Sequence, residues 1–232
     1  MSDTLASLVI SDGAVGGLVA LSAHFALPDR DRSPIGVVAW GFEPEEADAR
    51  ARAVAEQARA MGATIVDVTA ARPADGETVG NRVTRRLVEV ALAARAMGVR
   101  RVVWPAHAGA DHADGGGGGV LDRVAAIIDR AALVSRLVSL DDERAGNVGV
   151  EARDAGEVVG VGSGGGVEIT TPYADLSDRE MAELMLDLDA PVWTCWWARG
   201  GGAKAALERE HWREVLRELG WSAPLPRAPA GV

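Results

Sequence analysis

A short apolar segment, a glycine-rich turn and an apolar helix follow one another over residues 7–21. The segment ends at Ser11, and Gly13, Gly16 and Gly17 lie in or just after the turn. A strand that enters a helix through such a turn presents backbone N–H groups to a phosphate, and in an open α/β sheet such turns lie at the ligand crevice. Alternatively, the glycines serve only a tight turn and close packing. Because no spacing matches GxGxxG or GxxxxGKS, the turn by itself favours the structural role of the glycines over phosphate binding.

The alternation of strand and helix continues along the chain. Short apolar strands are predicted at residues 35–40, 64–68, 101–104 and 168–172. Helices are predicted at residues 45–61, 83–97, 120–138, 178–188 and 203–219, and several of them end at a glycine. This order predicts parallel strands joined by right-handed crossovers. We therefore predict a single α/β domain with a mainly parallel sheet that carries helices on both faces.

Two segments fit this alternation less well. Residues 141–166 are polar and rich in glycine, and they predict either a β-hairpin or a loose excursion. The proline-rich end predicts a disordered tail at residues 223–232, which leaves residues 1–222 as the domain.

Composition limits the class of protein. A chain of 232 residues with 48% hydrophobic and 25% charged residues can bury a sizeable globular core. The net charge of −10 argues against a nucleic-acid surface, which needs an excess of basic residues. Residues 5–27 are interrupted by Asp12 and His24 and lack a basic start, so they predict neither a membrane span nor a signal peptide. The single cysteine, Cys195, excludes a disulfide framework within one chain, and we expect a cytoplasmic protein.

Five segments match the motifs of one known family in order. The turn Ser-Asp-Gly-Ala-Val-Gly-Gly at 11–17 is similar to a phosphate loop of the form Ser-Gly-Gly-x-Asp-Ser. Trp-Gly-Phe at 40–42 and Val-Gly-Asn-Arg at 79–82 stand where that family has Tyr-Gly-Gln and Pro-Gly-Arg-Asn. Residues 171–181 and 190–196 are similar to Thr-Pro-Leu-x-Asp-Leu-Ser-Lys-x-Glu-Ile and to Val-Pro…Trp-Ser-Cys-Tyr. Together, over residues 5–221, the chain resembles the 7-cyano-7-deazaguanine synthases of queuosine biosynthesis, which belong to the N-type ATP pyrophosphatases (PP-loop enzymes).

This resemblance implies a five-stranded parallel sheet of the HUP type, an ATP–magnesium site at the first turn and a zinc-supported lid near the C-terminus. In that family ATP adenylates a 7-carboxy-7-deazaguanine, and ammonia then displaces AMP to give a nitrile. We predict cofactor contacts at Ser11, Asp12, Gly13, Gly16, Gly17, Trp40 and Gly41. We predict substrate contacts at Asn81, Arg82, His107 and Asp111.

The chain departs from the family pattern where the chemistry takes place. Asp12 replaces a glycine, and its carboxylate would repel a triphosphate unless a metal or another cation neutralised it. Val15 and Gly16 replace the Asp and Ser of the loop and offer no side-chain ligand. Asp178 replaces the lysine of Leu-Ser-Lys, and Cys195 alone remains of the four zinc cysteines, so zinc is not expected. Apolar packing is the predicted substitute for zinc, by Trp193, Trp196, Trp197, Trp212 and Trp221.

Histidines and carboxylates also follow the fourth strand. They suit zinc, manganese or iron, but their spacing matches no ligand pattern and a solvated polar loop is the favoured interpretation. The residues concerned are His107, Asp111, His112 and Asp114.

Three arginines and the cysteine are the remaining candidates. Arg82, Arg85 and Arg86 could bind a phosphate or carboxylate, and an ordinary solvated helix face explains them equally well. Cys195 lies between tryptophans with no base nearby in sequence, which predicts a buried structural thiol.

Three functions are consistent with these residues. The first is a divergent, non-catalytic or altered synthase-like protein that binds a nucleotide or purine-like ligand at the first strand–helix turn. The second is an active ATP-dependent ligase or amidotransferase that forms a nitrile or amide on a deazapurine carboxylate. The third is a structural or interaction subunit with a closed crevice. We assign no catalytic residue and no metal ligand, expect neither nucleic acid nor membrane as partner, and leave a homodimer open.

Overall fold

The computed structural model describes residues 5–28, 33–40, 46–69, 76–109, 119–148 and 166–221, with side chains to residue 140 in the fifth of these ranges. The strands are β1 Ser7–Ser11, β2 Ile35–Ala39, β3 Thr64–Val66, β4 Arg101–Val103 and β5 Glu168–Thr170. The helices are α1 Val15–Phe25, α2 Ala47–Ala60, α3 Val79–Ala96, α4 Val120–Val148, α5 Asp178–Asp187, α6 Trp196–Arg199 and α7 Ala203–Glu218. A 3₁₀ turn at Val192–Thr194 precedes α6.

All five strands pair in parallel, in the order β3-β2-β1-β4-β5. Along the chain, β2 and then β3 are added on one side of β1, and β4 and then β5 are added on its other side. The order therefore reverses between β1 and β4, and in open parallel sheets the ligand crevice forms at the carboxyl ends of the strands at such a point. The predicted single α/β domain with a five-stranded parallel sheet is confirmed.

Alternate side chains of β1 supply the cores on the two faces of the sheet. Leu8 and Ile10 pack on the side of α3 and α4, with Leu87 of α3 and Val134 of α4. Val9 packs on the opposite side with residues of α1 and α2. Because side chains of a strand point alternately to opposite faces, the apolar centre of β1, Leu8 to Ile10, is buried on both sides, as a central parallel strand requires.

The segment after β5 covers α1 instead of extending the sheet. Val15, Leu18 and Val19 of α1 form one core with the tryptophan-rich end. Trp197 and Trp212 are buried, and their rings stack with centroids 6.3 Å apart. Trp196 is buried in the same core and Trp221 packs against it, whereas Trp193 contacts the Arg199 guanidinium at 4.9 Å. The prediction that tryptophan packing holds this end together is confirmed for these core residues.

Helix α4 also covers the outer edge of β5. The backbone N–H of Ile169 points away from β4 and donates to the Ser135 hydroxyl on α4 at 2.8 Å. Gly166 allows this approach, because a Cβ there would lie 2.1 Å from Oγ of Ser139. A free edge N–H is thereby satisfied within the domain.

One segment differs from the prediction. We expected residues 141–166 to form a β-hairpin or an excursion, but α4 continues through them as far as Val148. The prediction ended the helix early because the apolar periodicity stops near Val138, although Glu143, Arg144 and Ala145 have good helix propensity. Residues 149–165 and 222–232 lie outside the described residues, and so does the predicted tail. No helix in the described part of the chain is long and apolar enough to cross a membrane.

The first turn of α1 sits directly against the sheet. A Cβ on Gly16 would lie 2.4 Å from the carbonyl oxygen of Pro105, and one on Gly17 would lie 2.3 Å from Oγ of Ser11. Both distances are far below van der Waals contact, so glycine is required at both positions for this packing.

We expect Gly16→Ala to destabilise the fold by about 1–3 kcal/mol, because the added methyl must push α1 off the Pro105 backbone. The urea midpoint at unchanged m-value measures the effect. Gly201→Ala is the matched control, since a Cβ there meets nothing within 4 Å. Equal urea midpoints for Gly16→Ala and Gly201→Ala would show that Gly16 is not in tight contact with Pro105.

Candidate functional site

The candidate site lies where β1 and β4 end. After Ser11, residues Asp12, Gly13 and Ala14 lead into α1, and Gly13 has a φ of 77° that favours glycine. After Val103, the chain continues through Trp104 and Pro105 toward Gly109. Because Gly16 packs on Pro105, the two strand-end segments are in contact at the crevice.

Hydrogen bonds within the protein occupy the first turn. The Ser11 hydroxyl is 1% exposed, accepts from the N–H of Gly13 at 3.0 Å and donates to Oε1 of Gln57 at 2.9 Å. Nε2 of Gln57 then donates to the carbonyl of Ala14 at 3.2 Å. The Ser11 hydroxyl, a predicted cofactor contact, is thus already bonded to protein groups on both sides.

A protein cation neutralises Asp12. Nη1 of Arg50 donates to Oδ2 of Asp12 at 2.8 Å, and Oδ1 of Asp12 accepts the N–H of Ala14 at 3.0 Å. The Arg50 side chain is 14% exposed and that of Asp12 is 39% exposed. The carboxylate therefore takes the place at the turn that an anionic ligand would fill, and it holds one of the backbone N–H groups that such a ligand would use.

Arg50 is itself held from two other sides. Its Nε donates to Glu46 at 2.8 Å, and Nζ of Lys204 lies 3.0 Å from the same carboxylate. Partial burial opposes ionisation of Glu46, but the hydrogen bonds and charges of Arg50 and Lys204 outweigh it and lower the pKa of this carboxyl below its ordinary value. The Arg50 guanidinium also lies over the Trp196 ring, 4.2 Å from its centroid.

The C-terminal segment closes the turn from outside. The N–H of Trp196 donates to the carbonyl of Gly13 at 2.8 Å. Cys195, next to it, is 1% exposed. Burial raises the pKa of the Cys195 thiol well above its ordinary value, and the charge of Asp12 adds to the shift. The prediction of a buried structural thiol is confirmed.

Two indole rings stack at the carboxyl edge of the sheet. Trp40 follows β2 and Trp104 follows β4; their centroids are 6.3 Å apart and their planes differ by 11°. The N–H of Trp40 donates to the carbonyl of Ser11 at 2.7 Å, which fixes this residue beside the turn. Trp104 is buried, whereas Trp40 is only partly buried. The pair lies beside the switch point and packs with the core on the α3 and α4 side of the sheet.

A carboxylate and two histidines meet beside the same edge. Nε2 of His211 lies 2.7 Å from Oδ2 of Asp178, and Nδ1 of His107 lies 3.5 Å from Oδ1 of that residue. Asp178 is the first residue of α5, after a capping box formed by Ser177 and Glu180. Gly109 allows the close approach, because a Cβ there would lie 2.2 Å from Oδ1 of Asp178.

The arginines of α3 contact protein carboxylates. Arg85 pairs with Glu77 at 2.9 Å and with Glu89 at 3.0 Å. Arg86 is 6% exposed, pairs with Glu89 at 3.0 Å and donates to the carbonyl of Ala39 at 2.8 Å. Arg86 therefore braces the end of β2 just before Trp40.

Two further predicted contacts lie on α3, which begins at Val79 and not near residue 83 as predicted. The N–H of Asn81 donates to the Thr78 hydroxyl at the helix start, and its side chain is exposed. Arg82 follows in the same turn and is partly buried.

The predicted site residues separate into three groups. The first-turn residues, Trp40 and His107 gather around the ends of β1, β2 and β4, whereas Asn81 and Arg82 lie on α3. Gly41 and Asp111 lie outside the described residues, as do His112 and Asp114 of the suggested metal loop. Within the part of the chain that the structure describes, no three His, Cys, Asp or Glu side chains are arranged to hold a metal ion.

Sequence reasoning does not find the contacts that Arg50, Gln57, His211 and Trp104 make at this site. Arg50 and Gln57 reach the first turn from α2, and nothing in the spacing of the chain links them to residues 11–14. The pairing of Asp178 with His211 depends on how α7 folds back on α5. Trp104 could have been found, since it follows a buried strand as Trp40 does.

Comparison with known proteins shows only distant similarity. No protein-family model and no curated protein matches the sequence. A solved structure of the U34-tRNA thiolase NcsA from Methanococcus maripaludis with its [4Fe-4S] cluster is similar at a TM-score of 0.45 and 12% identity, over 100% of this chain and 77% of that one. The conserved protein TT1542 from Thermus thermophilus is similar at a TM-score of 0.34 and 17% identity, over 98% of this chain and 96% of that one.

Arg50→Met should lower the free energy of unfolding by roughly 1–3 kcal/mol, between the values for exposed and buried ion pairs, because Asp12 and Glu46 both lose a partner. Arg179→Met is the control; it removes an exposed pair with Glu183, for which about 0.5 kcal/mol or less is expected. Urea unfolding at pH 7 measures both. A loss no larger than that of the control would contradict the role given to Arg50.

Cys195 should resist alkylation in the folded protein, because its thiol is buried and remains protonated at neutral pH. Iodoacetamide at pH 8 should label the denatured chain completely while the native chain stays unmodified over the same period, as read by intact mass. Fast labelling of the native chain would contradict a closed turn.

Proposed function

We propose that this chain is a divergent 7-cyano-7-deazaguanine synthase-like protein that binds a nucleotide or purine-like ligand at the carboxyl ends of β1, β2 and β4. The observation that carries the proposal is the Trp40–Trp104 pair, stacked beside the first turn at the point where the strand order reverses. Stacking on aromatic rings is a general way of holding nucleobases, and this end of the sheet is where open α/β folds bind ligands.

The residues of the turn do not fit the triphosphate that the family resemblance implies. The Ser11 hydroxyl and the N–H groups of Gly13 and Ala14 are bonded to protein groups, and Asp12 adds a carboxylate. Val15 and Gly16 supply no polar side chain. These features support a protein that binds a ligand without carrying out ATP-dependent adenylation.

A zinc-supported lid does not fit this end of the chain either. The thiol of Cys195 is buried among apolar side chains, and the tryptophan core connects α1 to α7 directly. Packing of these large rings supplies cohesion of the kind that a structural metal gives elsewhere.

A ligand screen tests the proposal. Calorimetry and thermal shift with adenosine, AMP, ATP, GTP and 7-deazaguanine should reveal at least one binder, because a base-sized ring can stack on Trp40. Trp40→Ala should weaken that binder about 10- to 100-fold, as stacking contributes about 1–3 kcal/mol per base, whereas Trp40→Phe should retain most of the affinity.

Trp193→Ala is the matched control, since its ring contacts Arg199 in the C-terminal segment. Release of pyrophosphate or AMP from ATP with magnesium and a 7-carboxy-deazapurine would support an active ligase instead. A chain that binds none of these compounds and purifies with a macromolecular partner would be an interaction subunit, and the proposal would fail.

A further inference from the structure

The first turn of α1 is built like an anion site that already contains its anion. Oδ1 of Asp12 accepts the N–H of Ala14 at 3.0 Å, and Oδ2 accepts a guanidinium N–H of Arg50 at 2.8 Å. A helix start and an arginine are the two groups that usually hold a ligand phosphate. Here both are bound to the same protein carboxylate.

Other groups near the turn are either hydrogen-bonded within the protein or buried. The N–H of Gly13 is bonded to Ser11, and Gly16 and Gly17 are buried against Pro105 and Ser11. Arg86 is bound to Glu89 and to the end of β2. A phosphate could bind the Ala14 N–H and Arg50 only by displacing the Asp12 carboxylate, which would then remain nearby as a like charge.

The aromatic pair is not subject to this competition. The Trp40 ring is partly buried, and its polar backbone N–H is already satisfied by Ser11. A planar ring gains contact area there whatever its charge, and indole faces also attract cationic heterocycles. A base can therefore be recognised at the indole pair while Asp12 occupies the Ala14 N–H and the Arg50 N–H that a phosphate would use.

We infer that Asp12, held by Arg50, is a specificity-determining residue that restricts the site to planar heterocyclic ligands without a phosphate group. This inference rests on the proposed function, because it concerns the ligand of the same site. The inference predicts only that the ligand carries no phosphate group. It can therefore be wrong even if a ligand binds at Trp40.

Paired compounds test the inference. Dissociation constants are measured by calorimetry for adenosine against ATP and for guanosine against GTP, with inorganic pyrophosphate as competitor. We expect each nucleoside to bind at least as tightly as its triphosphate, and pyrophosphate not to displace it. A triphosphate that binds more than threefold tighter than its nucleoside, or displacement by pyrophosphate, would overturn the inference and leave the proposed function intact.

Asp12→Asn should reverse the preference. The amide oxygen can still accept the Ala14 N–H, but Arg50 loses the Asp12 carboxylate and keeps Glu46 as a charged partner, so that its Nη1 N–H can be donated to a phosphate. Triphosphate affinity should rise at least tenfold while nucleoside affinity stays within twofold. Glu183→Gln, which removes the same charge from the exposed pair with Arg179, should change neither.

The remaining outcomes are also decisive. An unchanged triphosphate-to-nucleoside ratio in folded Asp12→Asn would overturn the role of Asp12. If neither nucleosides nor triphosphates bind the wild-type chain, the proposed function fails and the inference fails with it. Should Asp12→Asn not fold, as judged by circular dichroism, the wild-type pairs and the pyrophosphate competition decide alone.

Discussion

The contact between α1 and the sheet is the constraint on which the rest of the structure depends. Two glycines let the first turn of α1 rest on the Pro105 carbonyl and on the Ser11 side chain. This contact joins the end of β1 to the segment that follows β4, which are the two sides of the switch point. Because the turn lies so deep, Gln57 and Arg50 can reach it from α2 and Trp196 can cover it.

Packing and ligand chemistry compete for the same few atoms in this turn. A phosphate loop leaves its backbone N–H groups open to the ligand. Here the Ser11 hydroxyl accepts the N–H of Gly13, and the Asp12 carboxylate accepts the N–H of Ala14. The tryptophan core packs over α1 at that end. The proposed ligand contact is instead with the stacked indoles of Trp40 and Trp104.

The fold was predictable because its signals are local. Each signal spans only a few neighbouring residues: apolar strands, glycines that end helices, and the capping box at Ser177. The order of strands and helices alone then predicts a parallel sheet. The site was predictable only in part. Strand-end residues such as Ser11 and Trp40 are marked by position, but the partners Arg50 and His211 come from helices distant in sequence. Only the packing of those helices decides which residues they meet.

The hydrogen bond from Ile169 to Ser135 has a consequence for assembly. It leaves the β5 side of the sheet without that donor for a further strand, whereas β3, on the other side, is a three-residue strand with Thr64 and Ile65 exposed. The two ends of the sheet are therefore unequal. Growth of the sheet by pairing with another chain is therefore disfavoured at the Ile169 side of β5.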